Sequence, residues 1–349
     1  MVYQPLVSVL LPIYNGERYA SCSIESMLRQ TFSNFELLII NDGSSDGTAD
    51  ILEAYAKQDR RIQVYHQENQ GLIRTLNRGL SLSSGIYVAR MDADDVSHPD
   101  RLKCQVGAME ATKGLILVGT FYETIDSNGE IIDGIELQTE PVYRLWRLMF
   151  HCNYAHGSVM FVREAIVDAG GYSEKFAHAE DYDLWLRICN PYNNIIILRF
   201  LFQYRVSDDN AQVSQKYRSS QIRRAVALSN AQLRKCNPAI TDIQCAELRS
   251  IYWDGNVGYL SASGAEALGT TFSGFSRRFE LSGHQRSRLL SAVVRDAFRA
   301  SFKHGRPSDR SSARTALKVF SLFPYEAVLA AVGLIPGLFR RTLRKMTGN

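Results

Sequence analysis

Short apolar runs alternate with helix-like segments through the first 112 residues of the chain. Strands are predicted at residues 6–14, 35–42, 61–67 and 85–92. Helices are predicted between them at residues 17–30, 46–58 and 71–83, with a fourth from about Pro99 to Thr112. Strands that are apolar on both faces and separated by helices predict an α/β fold, with a mostly parallel, Rossmann-like sheet flanked by helices.

The pattern changes after Leu115 and becomes mostly helical beyond about Gln215. Residues 115–134 predict a strand and a hairpin, with Asn128-Gly129 at the turn. A helix near 141–150, a strand at 157–163, a helix at 179–189 and a strand at 193–206 are predicted next. We therefore expect an α/β domain (residues 1–215), a C-terminal helical extension (216–313) and a tail (314–349).

Polar residues follow three of the predicted strands at their carboxyl ends. They are Tyr14-Asn15, Asn41-Asp42 and Asp92-Ala93-Asp94. Ligands of open parallel sheets bind outside the carboxyl ends of the strands, so these residues are expected to share one crevice.

Basic residues are concentrated near the end of the chain. The net charge is only +4, but residues 271–349 contain 15 Lys and Arg against 4 Asp and Glu. Residues 319–339 of this region are mostly apolar and lie between basic flanks, with Pro324, Glu326 and Pro336 interrupting the run. This pattern favours an interfacial segment on an anionic membrane over a full membrane span, packing against a protein surface or nucleic-acid binding.

The cysteines and the N-terminus indicate a reducing compartment. The six cysteines have no C-x-x-C pair and no metal-ligand spacing, so they are interpreted as free thiols. The first apolar run lacks a basic segment before it and is too short to span a bilayer. We expect a cytoplasmic catalytic part, peripheral on the inner face of the cell membrane through its tail.

The segment "NDGSSDGTADILE" (Asn41–Glu53) nearly matches a calcium-binding loop. A strand-like run precedes it where a calcium loop needs a helix, which argues against calcium. Asp42 at a strand's carboxyl end is instead a candidate for nucleotide contact, with Asp46 or Thr48 starting the next helix. A plain turn and helix cap explains the same residues without a ligand.

The segment "DADD" places Asp92, Asp94 and Asp95 within four positions. It does not fit a calcium loop, because Val96 and Ser97 occupy the fifth and sixth positions. Taken alone, it is typical of a solvated strand end. Its place beside the expected crevice favours carboxylates that bind a hard divalent cation together with substrate phosphates.

Two further segments carry candidate chemistry. "HAEDYDLWLR" places Glu180, Asp181 and Asp183 at a helix start, where acids complement the helix dipole or where one of them acts as a general base. "NYAHGSVMF" offers His156, and a single histidine of this kind is either structural or part of a site.

Together these segments resemble the family 2 inverting glycosyltransferases, whose nucleotide-sugar-binding fold is called GT-A. The resemblance covers about residues 5–215 and is collinear through five segments. They are "VSVLLPIYNGERYASCSIESMLRQTF", "ELLIINDGSSDGT", "GIYVARMDADD", "AHGSVMFVR" and "AEDYDLWLR". It implies metal-assisted transfer of a sugar from a nucleoside-diphosphate donor, with UDP expected, to a hydroxyl of a saccharide or polyprenyl-linked saccharide.

The resemblance also implies roles for individual residues. The base and ribose pocket would be lined by Pro12, Tyr14, Asn15 and Glu17, with Asp42 on the nucleobase and Asp92 near the ribose or the metal's shell. Asp94 would bind Mg²⁺ or Mn²⁺. The catalytic base would be Asp181, supported by Glu180 and Asp183, and the acceptor pocket would be bordered by His156 and Gly157.

One position departs from the family pattern. Many relatives carry a histidine after a strand similar to "YRV", whereas this chain has Ser207 followed by Asp208 and Asp209. Water or one of these aspartates would replace that contact, or the loop would be arranged differently.

Two other functions remain open at this stage. A nucleotidyltransferase is disfavoured because no Gly-rich, basic loop for a triphosphate follows the first strand. A non-catalytic sugar-nucleotide-binding subunit is disfavoured by the intact acids at 92–94 and 180–183.

Overall fold

The computed structural model describes residues 4–206, 217–252 and 260–302. The chain divides into two compact units. One comprises Met1–Pro141 and Cys152–Arg224, and the other comprises Val142–His151 and Ala225–Asn349.

The first unit begins with the predicted alternation of strands and helices. The strands are β1 (Val7–Ile13), β2 (Phe35–Asp42), β3 (Ile62–Gln67) and β4 (Tyr87–Arg90). The helices are α1 (Ala20–Leu28), α2 (Thr48–Gln58) and α3 (Leu72–Leu82). Every residue of β1 and β2 is buried, as the continuous apolar runs predict for strands covered on both faces.

The remaining elements of the first unit follow β4. They are β5 (Val96–Ser97), α4 (Arg101–Ala111), β6 (Leu117–Ile125), β7 (Ile131–Ile135), the start of α5 (Pro141–Leu148), β8 (Met160–Val162), α6 (Arg163–Asp168), α7 (Glu180–Ile188) and β9 (Asn194–Arg205). Two single 3-10 turns lie at His156–Ser158 and Glu174–Phe176. The predicted hairpin turn is confirmed, because Gly129 adopts a φ of 90° and its N–H donates to the Asp126 carbonyl.

The described residues form one nine-stranded sheet. Its order is β3-β2-β1-β4-β8-β6-β9-β5, with β7 paired to β6. β1 pairs in parallel with β2 and β4, and β2 pairs in parallel with β3. β8 is antiparallel to both β4 and β6, so β6 and its parallel neighbour β9 run in the same direction as β4. The prediction of a mostly parallel sheet is confirmed, and the carboxyl ends of β1, β2 and β4 lie at one edge.

One predicted strand differs from the structure. Residues 157–163 were expected to form a continuous strand, but the chain makes a 3-10 turn through Ser158, pairs only at Met160–Val162 and begins α6 at Arg163. β8 therefore pairs with β4 over three residues and with β6 over two. The short strand β5 was also not predicted.

The second unit is helical in its described part. Its helices are the remainder of α5, α8 (Arg218–Cys236) from Ala225 onward, α9 (Asp242–Tyr252), α10 (Ala262–Arg278) and α11 (Gly283–Phe302). Trp146 lies within 6.4 Å, centroid to centroid, of the rings of Phe150, Tyr252, Phe272 and Phe275. Its indole N–H donates to the Tyr252 hydroxyl at 2.8 Å, so the buried ring keeps its polar atom satisfied.

Several predictions concern positions that the structure does not describe. The aspartates proposed in place of the family's late histidine, Asp208 and Asp209, lie outside the described residues, as do Ser207 and the whole tail 314–349. Within the described ranges, no helix combines the length and the apolar character needed to cross a bilayer.

Candidate active site

The loops after β1 and β2 are joined by reciprocal hydrogen bonds. The Asn15 side-chain oxygen accepts from the Ser45 N–H at 2.8 Å, and the Asn15 N–H donates to the Ser44 hydroxyl at 2.9 Å. The Glu17 carboxylate accepts from the Gly47 N–H at 2.7 Å, while the Glu17 N–H donates to the Asp46 carboxylate at 3.2 Å. Asn15 and Glu17 therefore have clear structural roles in fixing these two loops.

The other two residues expected in the base and ribose pocket lie differently. Pro12 is buried within β1 and stands opposite Ile40 of β2. Tyr14 follows the strand end and is 54% exposed. Of these two, only Tyr14 presents its ring to solvent at the carboxyl edge of the sheet, where a ligand could stack on it.

The Asp42 carboxylate accepts hydrogen bonds from nearby groups of the same chain. It accepts from the Gln70 and Gly71 N–H groups, both at 2.9 Å, and from the Gln67 amide at 2.6 Å. The residue is only 3% exposed. Asp42 thus fixes the turn that leads into α3, and Gly71 permits this turn through its φ of 85°.

The carboxylates of the DADD segment differ in environment. Asp92 and Asp94 are partly exposed, whereas Asp95 is fully buried. Burial and then the Asp92 charge raise the pKa of Asp94 to about 6. Burial and the charges of Asp94 and Asp92 raise the pKa of Asp95 well above its ordinary value.

Asp95 and Arg205 connect the segment to the end of β9. Asp95 accepts from the Arg205 N–H at 2.7 Å through one carboxylate oxygen, and the other oxygen has no partner in the described part of the chain. The Arg205 guanidinium donates to the carbonyls of Asp94 and Asp126, both at 2.7 Å, and lies 4.4 Å over the Tyr19 ring. Arg205 therefore holds the DADD segment and the β6–β7 hairpin together.

Arg90 is a site residue that the sequence interpretation missed. Its side chain is 2% exposed and forms a 2.6 Å ion pair with Asp92. Its positive charge also lowers the pKa values of Asp94, Asp95, Glu180 and Asp181. The available signal was one basic residue in an otherwise apolar strand, two positions before the first aspartate.

Glu180 and Asp181 begin α7 and are both perturbed by burial. Burial and then the Asp181 charge raise the pKa of Glu180 to about 7, and one oxygen of this carboxylate lacks a partner among the described residues. Burial also raises the pKa of Asp181. Asp181 accepts from the Tyr182 N–H at 2.7 Å and from the Cys152 thiol at 3.6 Å.

Asp183 has a structural role that differs from the roles of Glu180 and Asp181 on the same helix. Its carboxylate pairs with Arg187 at 2.9 Å, and Arg187 donates to the carbonyls of Ala169 and Gly171. Asp183 thus anchors the turn after α6 through Arg187, which is a supporting role within this fold.

His156 and Gly157 begin a 3-10 turn, in which Gly157 lies against the DADD segment. The His156 imidazole is 2.9 Å from the Tyr172 hydroxyl, and burial and the Arg90 charge hold its pKa well below the ordinary value. A side chain at Gly157 would place its Cβ 3.0 Å from carboxylate oxygens of both Asp92 and Asp95. Gly157 therefore lets the chain pass directly against the DADD carboxylates.

The carboxylates fit a divalent cation that is bound mainly by substrate. Within residues 4–206, 217–252 and 260–302, no three His, Cys, Asp or Glu side chains form a group that could hold a metal ion unaided. A cation that bridges substrate phosphates needs only one or two protein carboxylates. Asp94 suits this role, because burial and the Asp92 charge raise its pKa and a nearby cation would stabilise its ionised form.

The chain is similar in sequence to known glycosyltransferases. A model of "Glycosyl transferase family 2" matches residues 8–168. The chain is 36% identical over 214 residues to the O-antigen biosynthesis glycosyltransferase WbnJ of Escherichia coli, covering 60% of this chain and 83% of WbnJ. It is 32% identical over 216 residues to the uncharacterized glycosyltransferase MJ1057 of Methanocaldococcus jannaschii, covering 61% and 74%.

Solved structures share the fold at low sequence identity. The mannosyltransferase PcManGT from Pyrobaculum calidifontis, in complex with GDP-Man and Mn²⁺, matches with a TM-score of 0.54 at 16% identity, covering 95% of this chain and 88% of that one. S. aureus TarS 1–349, in complex with UDP-GlcNAc, matches with a TM-score of 0.51 at 16% identity, covering 94% and 92%. The expected GT-A fold is confirmed, and the chain belongs to glycosyl transferase family 2 and is a glycosyltransferase.

Proposed function

We propose that this glycosyltransferase moves a sugar from a nucleoside-diphosphate donor to a hydroxyl of a saccharide or lipid-linked saccharide, with inversion at the anomeric carbon. The observation that carries the proposal is the arrangement around Arg90. One buried cation interacts with acids from the end of β4 and from the start of α7, two segments separated by more than 80 residues. A site of this kind separates a leaving-group region at Asp92 and Asp94 from a base at Asp181.

Each acidic group has its own part in the reaction. The acceptor oxygen forms a bond to the anomeric carbon while the bond from that carbon to the diphosphate oxygen breaks. Asp181 takes the proton of the acceptor hydroxyl, and its place at a rigid helix start keeps the carboxylate oriented for this transfer. Burial raises the pKa of Asp181, and the positive charge of Arg90 opposes this shift and so favours the ionised form.

The donor-side residues bind and orient the nucleotide. The loops joined through Asn15 and Glu17 are proposed to form the floor of the donor pocket, and Tyr14 has an exposed side chain beside them. Asp94 would hold Mg²⁺ or Mn²⁺ against the donor diphosphate. When bound, the cation would neutralise negative charge on the departing nucleoside diphosphate. UDP is the proposed nucleotide, since TarS is seen with UDP-GlcNAc, while PcManGT is seen with GDP-Man and Mn²⁺.

The acceptor side is proposed to be bordered by His156 and Gly157. The relative WbnJ is named for O-antigen biosynthesis, which supports a saccharide or polyprenyl-linked saccharide as the acceptor. The tail 314–349 is proposed to dock this enzyme on an anionic membrane, which would bring it to a lipid-linked acceptor. The domain limits at 215 and 313 are part of the same proposal.

The assignment of the base is tested by Asp181→Asn. The variant is expected to lose transfer while binding UDP with an affinity close to that of the wild type, because the amide cannot accept the proton. Asp50→Asn is the matched control, since it makes the same change at an exposed position in the first turn of α2. Wild-type turnover in the Asp181 variant would refute the base assignment.

The donor and the metal are tested without knowledge of the acceptor. Hydrolysis of a panel of UDP-sugars is measured in the presence of Mg²⁺ or Mn²⁺ and after chelation with EDTA. One sugar is expected to be hydrolysed fastest, and chelation is expected to abolish the reaction. Equal rates with and without the metal would contradict the proposed role of Asp94.

Membrane docking is tested by flotation with liposomes. The full chain is expected to float with vesicles that contain an anionic phospholipid, and a chain ending at residue 313 is expected to remain at the bottom of the gradient. Equal absence of binding would refute the docking of the tail.

A further inference from the structure

The Cys152 thiol lies against the carboxylate assigned as the base. Its sulfur is 3.6 Å from one Asp181 oxygen and 3.5 Å from the Tyr154 carbonyl oxygen, so the single S–H proton is shared between these two acceptors. The other Asp181 oxygen accepts from the Tyr182 N–H at 2.7 Å. The carboxylate is thus held at both oxygens, once by its own helix and once by a side chain that is distant in sequence.

The thiol acts as a donor because it stays protonated. Burial, and next the charge of Asp181, raise the pKa of Cys152 well above the ordinary value of a cysteine. A thiol in that state is a poor nucleophile and a weak hydrogen-bond donor. Its donation to Asp181 in turn lowers the pKa of that carboxyl, which favours the ionised form.

We propose that Cys152 is a positioning residue for Asp181, whose S–H group orients the carboxylate and stabilises its ionised form for proton transfer. The inference rests on the proposed function, since it assumes that Asp181 is the base. It assigns no contact between Cys152 and the substrate.

The other titratable groups around Asp181 define what a substitution at Cys152 changes. Glu180 precedes it on α7, Arg90 approaches from β4, and Tyr172 lies in the segment before α7. Changing Arg90 or Glu180 would alter the formal charge of the site. Replacing Cys152 by alanine removes the thiol donor and leaves that charge unchanged, so a shifted pH profile reports the loss of the thiol and not the loss of a charge.

The first experiment measures the contact without using activity. Alkylation of each cysteine by iodoacetamide is followed by mass spectrometry at pH 8.5 in the wild type and in Asp181→Asn. The variant lacks the carboxylate charge, so the thiolate fraction at Cys152 should rise, about tenfold for each unit by which its pKa falls. Cys104, whose sulfur accepts from Arg199, is the internal control and should react equally in both proteins. An unchanged rate at Cys152 would overturn the proposal.

The second experiment measures the pH profile of catalysis. UDP release from the UDP-sugar that the wild type hydrolyses fastest is followed from pH 5 to 9 in Cys152→Ala, Cys152→Ser and Cys104→Ala. Without the thiol the base should have a higher pKa, so the acid side of the kcat/KM profile of Cys152→Ala should move to higher pH. Serine retains a donor and should give an intermediate profile, while Cys104→Ala should match the wild type.

The outcomes separate this inference from the proposed function. A Cys152→Ala profile that coincides with the wild type, or that is lowered equally at every pH, would assign Cys152 to packing alone and overturn its positioning role. Full hydrolysis by Asp181→Asn would instead overturn the base assignment, whatever the cysteine variants show.

Discussion

The replacement Arg90→Met is expected to be one of the most destabilising single changes in the first unit. It removes a cation that is 2% exposed and leaves its ion-pair partner Asp92, 2.6 Å away, without that charge. Removing one partner of a buried ion pair costs about 3–5 kcal/mol, and methionine fills much of the same volume, so little of the loss should come from a cavity. The measurement is urea denaturation followed by circular dichroism.

The loss of folding stability caused by Arg90→Met should increase as the pH rises. The pKa values of Asp94 and Glu180 are raised to about 6 and about 7 in the folded chain, above their ordinary values of 3.8 and 4.5. The stability that these acids contribute is therefore fully present below about pH 4 and is lost as the pH rises through 6 and 7. Arg90 limits this loss by lowering both pKa values, so Arg90→Met should be more destabilising at pH 8 than at pH 5.

A surface ion pair provides the control for this experiment. Arg74 pairs with Glu174 at 2.9 Å, but both side chains are more than half exposed. Arg74→Met should therefore leave the denaturation midpoint unchanged at both pH values. An effect of Arg90→Met as small as that of Arg74→Met, or one that is equal at pH 5 and pH 8, would refute the electrostatic role of Arg90.

Three further changes test other parts of the site. Gly157→Ala should weaken UDP binding by calorimetry about tenfold or more, since the new Cβ would lie 2.4 Å from the Phe202 ring and 3.0 Å from site carboxylates; wild-type affinity would contradict this. The wild type should lose stability as the pH rises from 5 to 8, and Glu180→Gln should lose about 2 kcal/mol less over the same range in urea titrations, because the amide does not ionise. Equal losses in the two proteins would argue against the raised pKa of Glu180. Asp42→Ala should cost about 2–4 kcal/mol by the same method, because two backbone N–H groups and the Gln67 amide lose their acceptor; a cost below about 0.5 kcal/mol would contradict it.

The first two strands were predictable because their apolar runs are continuous. β1 and β2 are buried on both faces, so almost every residue carries the signal. β5 has two residues and β8 has three, and such short strands form only because longer strands are already in place to pair with them. No local pattern marks β5, whereas the apolar run that contains β8 predicts a strand and only its length depends on the neighbouring strands.

The candidate site was predictable in its acids but not in their partners. Asp92, Asp94 and Asp181 stand out in the sequence because acids follow apolar runs or begin a helix. Whether a carboxylate faces a ligand or a neighbouring backbone depends on the loop geometry, as Asp42 shows by accepting from the Gln70 and Gly71 N–H groups. Arg90 was missed for the same reason, since two of the acids that its charge affects, Glu180 and Asp181, are distant from it in the sequence.

The reciprocal bonds between the loops after β1 and β2 have a consequence for engineering this enzyme. The side chains of Asn15 and Glu17 accept from the N–H groups of residues 45 and 47. In the opposite direction, the side chains of Ser44 and Asp46 accept from the N–H groups of residues 15 and 17. A chimera that imports only one of these loops from a relative would leave acceptors and donors mismatched across the junction. These two loops, residues 14–17 and 43–48, should therefore be exchanged together as a single module.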